Sequence, residues 1–229
     1  MSLLDAEQHN STAAVVHTTN NPPLVPTDET YEPFKRAFHF FNDRLFGGAL
    51  PDCLVTLQRK KGARGYFAPE RFANRCNKAV ADEIAMNPDH FEGRTDKEVL
   101  STFVHEMAHL WQQHFGKPSR SGYHNKEWAE KMDDLGLPPS STGAEGGKRT
   151  GQRVSHYIEA GGRFDRACSE FLTSGATIAW VAVPVLKITK SGKRTKYACP
   201  TCGTHVWGKS GLSINCTPCG DEMEASDNG

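Results

Sequence analysis

Residues 96–115 read DKEVLSTFVHEMAHLWQQHF, and the reading of this stretch decides the fold. Val99, Leu100, Phe103, Val104, Met107, Ala108, Leu110 and Trp111 spread apolar side chains over much of a helical circumference. A largely buried helix is therefore expected from Asp96 to Phe115. Thr95-Asp96-Lys97-Glu98 fits a capping box, in which the hydroxyl and the carboxylate each satisfy an amide left orphaned by the first turn. Gly116 fits the left-handed position that closes a helix, and Pro118 cannot continue one. His105 and His109 are four residues apart, so their imidazoles share one face, where two neutral nitrogens can reach one ion at about 2.0–2.1 Å. Glu106 lies about 100° round the helix from His105. That places it beside such an ion, where a general base acting on metal-activated water would stand. Burying His-Glu-His without a partner is costly, and a metal removes the conflict.

A third ligand has to come from elsewhere. His114 is five residues past His109, about 140° round the helix, and points away. The metzincin pattern asks for Gly and His at positions that here hold Gln112 and Phe115, so that class is excluded. The candidates follow the polar loop 116–123, in a second, shorter helix expected from His124 to Leu135 that could fold back on the first. His124, Glu127 and Glu130 all lie there, and the residues alone leave the choice among them open.

Seven cysteines are present, and four of them, Cys199, Cys202, Cys216 and Cys219, form two CxxC knuckles. Four thiolates at this spacing make a closed tetrahedral zinc site with no open position for water, so a structural zinc ribbon is expected. So small a module has little core, and metal binding would supply much of its folding free energy. Thr204 to Trp207 and Leu212 to Asn215 read as its strands, with a turn between. Cys53, Cys76 and Cys168 read as small apolar residues.

The 229 residues suffice for one mid-sized domain and an accessory module. Lys plus Arg and Asp plus Glu both number 27, so global charge points to neither nucleic acid nor membrane. No apolar run reaches the roughly 18 residues of a membrane span. The N-terminus lacks the basic and apolar regions of a signal peptide, so a cytoplasmic protein with no membrane partner is expected. Residues 1–28 read as a disordered leader, Tyr31 to Phe46 as an amphipathic helix ended by Gly47-Gly48, and Leu54–Leu57, Gly65–Ala68 and Ala79–Met86 as strands. Pro138 to Arg153 reads as a loop, Gly162 to Ser174 as a helix and Ile178 to Val185 as a strand. Gly151 to Tyr157, with His156, reads as a surface loop, approach to the active site being the alternative. Residues 187–196 form a basic linker and 224–229 an acidic tail. Lys187, Lys190, Lys193, Arg194, Lys196 and Lys209 make a local patch that can contact DNA phosphates or simply stay solvated.

The stretch HEMAHLWQQHFGKPSRSGYHNKEWAEKM, residues 105–132, resembles the SprT-like family of zinc metalloproteases. LFGGALP at 45–51, GYF at 65–67 and DEIAMNP at 82–88 fit the same resemblance, which covers about residues 30–135 and the C-terminal cysteine module. It implies an α+β fold, with a zincin-like metalloprotease domain over 29–180 followed by a zinc ribbon within 187–223; residues 136–180 match nothing assignable. It implies His105, His109 and His124 as ligands of a catalytic zinc, Glu106 as the catalytic base, and a protein substrate. Because the family includes eukaryotic proteases that degrade proteins crosslinked to DNA, a DNA-associated substrate is a further implication. The rival readings are a DNA-binding regulatory or adaptor protein that uses the ribbon, and a metal-dependent hydrolase of non-peptide substrates.

Overall fold

In the computed structural model, residues 25–183 and 194–226 are described, and they fall in two compact units. The first runs α1 (Pro26–Phe46), β1 (Leu54–Leu57), β2 (Gly65–Ala73), β3 (Val80–Met86), α2 (Asp96–Phe115), α3 (Lys126–Asp134), β4 (Pro139–Ser140), β5 (Ser155–His156) and α4 (Arg163–Thr173). The mixed α+β class follows from this order.

Helix α2 has the expected limits, set by local chemistry. Thr95 Oγ1 accepts from the Glu98 amide at 3.2 Å while Glu98 Oε2 accepts from the Thr95 amide at 2.8 Å. Its C-terminal end differs from expectation. Gly116 is extended (φ −126°), not left-handed. Its surroundings are tertiary: a Cβ would stand 2.5 Å from Glu127 Oε2, which packs across the helix end and would have to shift.

Helix α1 begins at Pro26, inside the expected leader and five residues ahead of Tyr31. Pro26 loses nothing by lacking an amide proton in a first turn, and Asp28 and Glu29 oppose the positive helix end. Its buried face meets α2 and α4 through aromatic pairs. Phe34 lies 5.5 Å from Phe103, and Phe41 lies 5.8 Å from Phe164 and 5.5 Å from Phe171. Truncating such a ring to alanine costs about 3–5 kcal/mol. Lys97 and Asp165, 2.5 Å apart, tie α2 to α4 at the surface.

The sheet has the order β1-β3-β2, with β1 parallel and β2 antiparallel to β3. β2 runs to Ala73, beyond the expected Ala68, because a register shift between Ala68 and Phe72 lets pairing resume. Asp82 Oδ1 holds that irregularity by accepting from the Glu70 amide at 2.7 Å. β2 also packs along α2, which brings its first residues to the histidine face.

Other expectations need correction. The stretch 136–180 is not simply loop and helix: Pro139 and Ser140 pair with His156 and Ser155. Residues 178–183 form no strand; Ala182 makes a backbone bond to the Pro88 carbonyl, and Val183 is exposed. Residues 184 and 185 lie outside the described residues.

The second unit contains β6 (Thr195–Ala198), β7 (His205–Gly208) and β8 (Glu224–Ser226), an antiparallel sheet in the order β7-β6-β8. Thr195 and Lys196 thus belong to a strand, not a linker. Glu224–Ser226 pair with Lys196–Ala198 and are not a free tail. Residues 212–215 form no strand; only Asn215 bridges, to Glu222. Tyr197 is the buried anchor, its hydroxyl donating to the Lys209 carbonyl and accepting from the Leu212 amide. Residues 1–24, 187–193 and 227–229, which hold most of the expected leader and linker and the end of the tail, lie outside the described residues. No helix among the described residues is long and apolar enough to cross a membrane.

Candidate active site

Helix α2 carries His105 and His109 on one face, and the segment before α3 brings in His124. The ring centroids of His105 and His109 are 5.3 Å apart, those of His105 and His124 5.2 Å, and those of His109 and His124 4.9 Å. One nitrogen from each lies within 4.8 Å of the other two. His105 and His124 are more than nine-tenths buried.

The donor set fits a small N-ligated cation. His124 Nδ1 faces the Gly151 carbonyl at 3.1 Å and donates to it, which leaves Nε2 with a lone pair. That Nε2 stands 3.3 Å from His105 Nε2. Two nitrogens bound tetrahedrally to one zinc at about 2.0–2.1 Å would be about 3.3–3.4 Å apart. All three imidazoles are held in the neutral form that ligates metals. Burial, reinforced by the neighbouring histidines, drives the His105 pKa well below its ordinary value; it takes His109 to about 3 and lowers His124 as well.

His124 does not open α3, as the sequence suggested. It sits one residue before Asn125, the helix cap, whose Oδ1 accepts from the Trp128 amide at 3.0 Å. Its strand-like bridge to Gly151 fixes it instead. The two competing carboxylates are committed elsewhere. Glu127 Oε2 accepts from Gln112 Nε2 and from the Lys117 amide, each at 2.7 Å, and clamps the end of α2 to the start of α3. Glu130 is exposed and pairs with Lys126. His114 points away as expected, with Nε2 2.6 Å from Asp82 Oδ2.

Trp128 forms the floor. It is fully buried, stacks on His109 at 5.1 Å and meets His105 and His124 edge-on at 4.8 and 4.3 Å. Its Nε1 has no hydrogen-bond partner among the described residues.

Glu106 is buried beside the cluster. Burial raises its pKa to about 8, opposed by the Phe67 amide and then by Lys60. Gly65 at the start of β2 lies so close that a Cβ there would be 3.3 Å from Glu106 Oε1 and 3.0 Å from the Ala85 carbonyl. The GYF strand thus passes directly over the carboxylate.

The sequence reading missed His156 as part of the site. It lies on β5, not on a surface loop, with Nδ1 3.2 Å from His105 Nδ1 and Nε2 2.9 Å from Ser101 Oγ. Burial lowers its pKa to about 3, with Arg94 and Arg64 adding to the shift. A lone histidine in a polar stretch carries no spacing signal, and only the fold brings it to α2.

In the second unit the Sγ atoms of Cys199, Cys202, Cys216 and Cys219 also lie within 4.8 Å of one another, with Cys202 and Cys216 3.6 Å apart. Four sulfurs at about 2.3 Å from a tetrahedral zinc would be about 3.8 Å apart. Backbone turns hold both knuckles: the Gly203 amide donates to the Cys199 carbonyl, and the Gly220 amide to the Cys216 carbonyl. A hydrogen bond to Thr204 lowers the Cys202 thiol pKa to about 6.

These features define an α+β protein with a three-histidine cluster, formed by helix α2 and the segment before α3, and a separate four-cysteine cluster, each able to hold a metal ion. The chain belongs to the SprT-like family, whose sequence profile matches residues 34–144. It is also similar to an uncharacterized protein in the mucB 3′ region of Salmonella typhimurium, 48% identical over 60 residues. That match spans 26% of this chain and 81% of the relative.

Proposed function

We propose that the chain is a zinc-dependent metallopeptidase of the zincin type, with a C-terminal zinc ribbon. The observation that carries the reading is the convergence of His105, His109 and His124 beside the buried Glu106. When bound there, zinc supplies Lewis acidity, polarising a scissile carbonyl and bringing the pKa of a water toward neutrality.

The chain's own residues do the rest. Glu106, ionised next to a cation, takes a proton onto a carboxylate oxygen from the attacking water and returns it to the leaving nitrogen. β2 has no partner on its outer edge among the described residues, and its GYF stretch lies over Glu106. An extended polypeptide pairing with that edge would bring a peptide bond to the carboxylate. This supports a peptide substrate over a small molecule.

DNA-associated or DNA-crosslinked protein is the narrower substrate class within this proposal. Its support is in the second unit, where exposed Arg194 and Lys209 accompany the half-exposed ring of Trp207, the cation-and-aromatic combination that suits a single strand. Paired free thiols at metal-ligand spacing favour a cytoplasmic setting.

The test is proteolysis of an unfolded protein substrate, with and without single-stranded DNA, by wild type and Glu106→Gln. The variant should keep its zinc and lose at least about 100-fold in rate. Cleavage retained by Glu106→Gln overturns the mechanism. Cleavage indifferent to DNA and to deletion of residues 187–229 removes the DNA association.

A further inference from the structure

We propose that His156 is a positioning residue: its Nδ1 accepts the Nδ1 proton of His105 and so turns the His105 Nε2 lone pair toward the metal. The inference rests on the reading of the three histidines as metal ligands. It adds a fourth histidine that is not a ligand, and a role for the segment 151–156, which lies beyond the residues that define the family.

His105 can ligate through Nε2 only if its proton is on Nδ1. The hydrogen-bond partner of His105 Nδ1 is His156 Nδ1 at 3.2 Å, with the ring centroids 5.3 Å apart. The chain then continues in one direction. Ser101 Oγ donates to the Glu98 carbonyl at 2.8 Å, so its lone pairs face His156 Nε2, which donates to them at 2.9 Å. His156 Nδ1 is thereby left bare, as the acceptor that His105 requires. Every contact in the series has one donor and one acceptor, and it ends at a helical carbonyl that anchors it.

The same short segment performs the matching task for the other ligand. Gly151, five residues before His156, presents the carbonyl that takes the Nδ1 proton of His124. The bridge between His124 and Gly151 and the pairing of His156 with Pro139 lock both ends of the segment. Residues 151–156 thus set the tautomer of two ligands at once, and their carbonyl and ring replace the carboxylates that often stand behind metal-bound histidines.

The test uses the full chain with cobalt(II) as the probe, because histidine-bound and thiolate-bound cobalt absorb differently and the two centres can be followed separately. His156→Ala should weaken cobalt binding at the histidine centre by about 10–100-fold, leave the cysteine centre unchanged and keep the helical circular dichroism. His156→Gln, whose amide oxygen can accept from His105 Nδ1, should recover part of the loss. Ser101→Ala should cost less than about tenfold. Nitrogen-15 shifts should place the His105 proton on Nδ1 in the zinc-loaded wild type and show a mixture of tautomers in His156→Ala. Affinity within twofold of wild type in His156→Ala, or a His105 proton on Nε2 in the loaded protein, overturns the positioning role. Wild-type protein that takes up no cobalt at the histidines overturns this inference and the peptidase reading together, whereas loss of the His156 effect alone leaves the latter standing.

Discussion

His124 Nε2 stands 3.3 Å from His105 Nε2, although 19 residues of chain separate them. Two neutral imidazole nitrogens at that distance either share one N–H hydrogen or face a common metal ion. Burial disfavours the imidazolium, and the third imidazole, His109, brings a nitrogen within 4.8 Å of both, which fits a metal ion. The four cysteine sulfurs pose the same problem in a separate unit, and a chain with two such centres should hold two metal ions. We expect two zinc per chain by elemental analysis, falling to one in His109→Ala and to one in Cys216→Ser. The two losses should differ in consequence. Cys216→Ser should expose the second unit to proteolysis, because Tyr197, Cys199, Cys216 and Met223 are nearly all of its buried core. His109→Ala should leave the first unit folded on its aromatic core. A His109→Ala protein that retains two zinc would exclude the three-histidine centre.

Glu127 offers a sharper separation between ligand and structure. It was a rival to His124 as the third ligand, and both follow the same turn. Its carboxylate instead receives the Lys117 amide and the Gln112 side chain, and those bonds hold its pKa below the usual range. Glu127→Ala should therefore destabilise the chain by about 1–2 kcal/mol, the worth of two partly exposed hydrogen bonds, while zinc content stays at the wild-type value. Denaturant unfolding and metal analysis on the same preparation check both halves. Loss of one zinc without loss of stability would return Glu127 to the ligand set.

The site was legible in the sequence where its signals are local. The limits of α2, the facing of His105 and His109 and the exclusion of His114 all follow from helical rotation and a capping box, which involve residues within a few positions of one another. The failures share the opposite cause. Gly116 followed by Pro118 imitates a left-handed cap, yet the glycine is extended and lies under the Glu127 carboxylate. Ile178 to Val185 has a strand's composition, but Val183 is exposed and, among the described residues 178–183, only Ala182 finds a backbone partner. Glu224 to Ser226 looks like a solvated acidic end, but the exposed edge of β6 recruits it. His156 reaches His105 across 51 positions, through a two-residue pairing of β4 with β5 that carries almost no propensity signal. In the sequence only the family resemblance separates His124 from the two glutamates; in the fold the bridge to Gly151 sets His124 beside His105 and His109.

The buried titratable groups predict how the metal-free protein responds to acid. In the folded chain His109 and His156 stay neutral down to about 3, whereas in the unfolded chain they take up protons below about 6.5. The unfolded state therefore binds more protons as pH falls from 6.5 toward 3, and these histidines cost stability over that window. Glu106 acts in the opposite sense. Its folded form keeps a proton up to about 8, while the unfolded form loses it above about 4.5. Stability from this group falls as pH rises between those values, so between 4.5 and 6.5 Glu106 offsets part of the histidine loss. Glu106→Gln removes that offset, and the melting temperature of the chelator-treated variant should fall more steeply than that of wild type between pH 6.5 and 4.5. Zinc-loaded protein should show a further, cooperative drop where protons displace the metal from His105, His109 and His124. Thermal melts across this range, in chelator and in excess zinc, measure both effects. A slope in Glu106→Gln equal to or shallower than that of wild type would mean that Glu106 is ionised in the metal-free fold, contrary to its burial against Gly65.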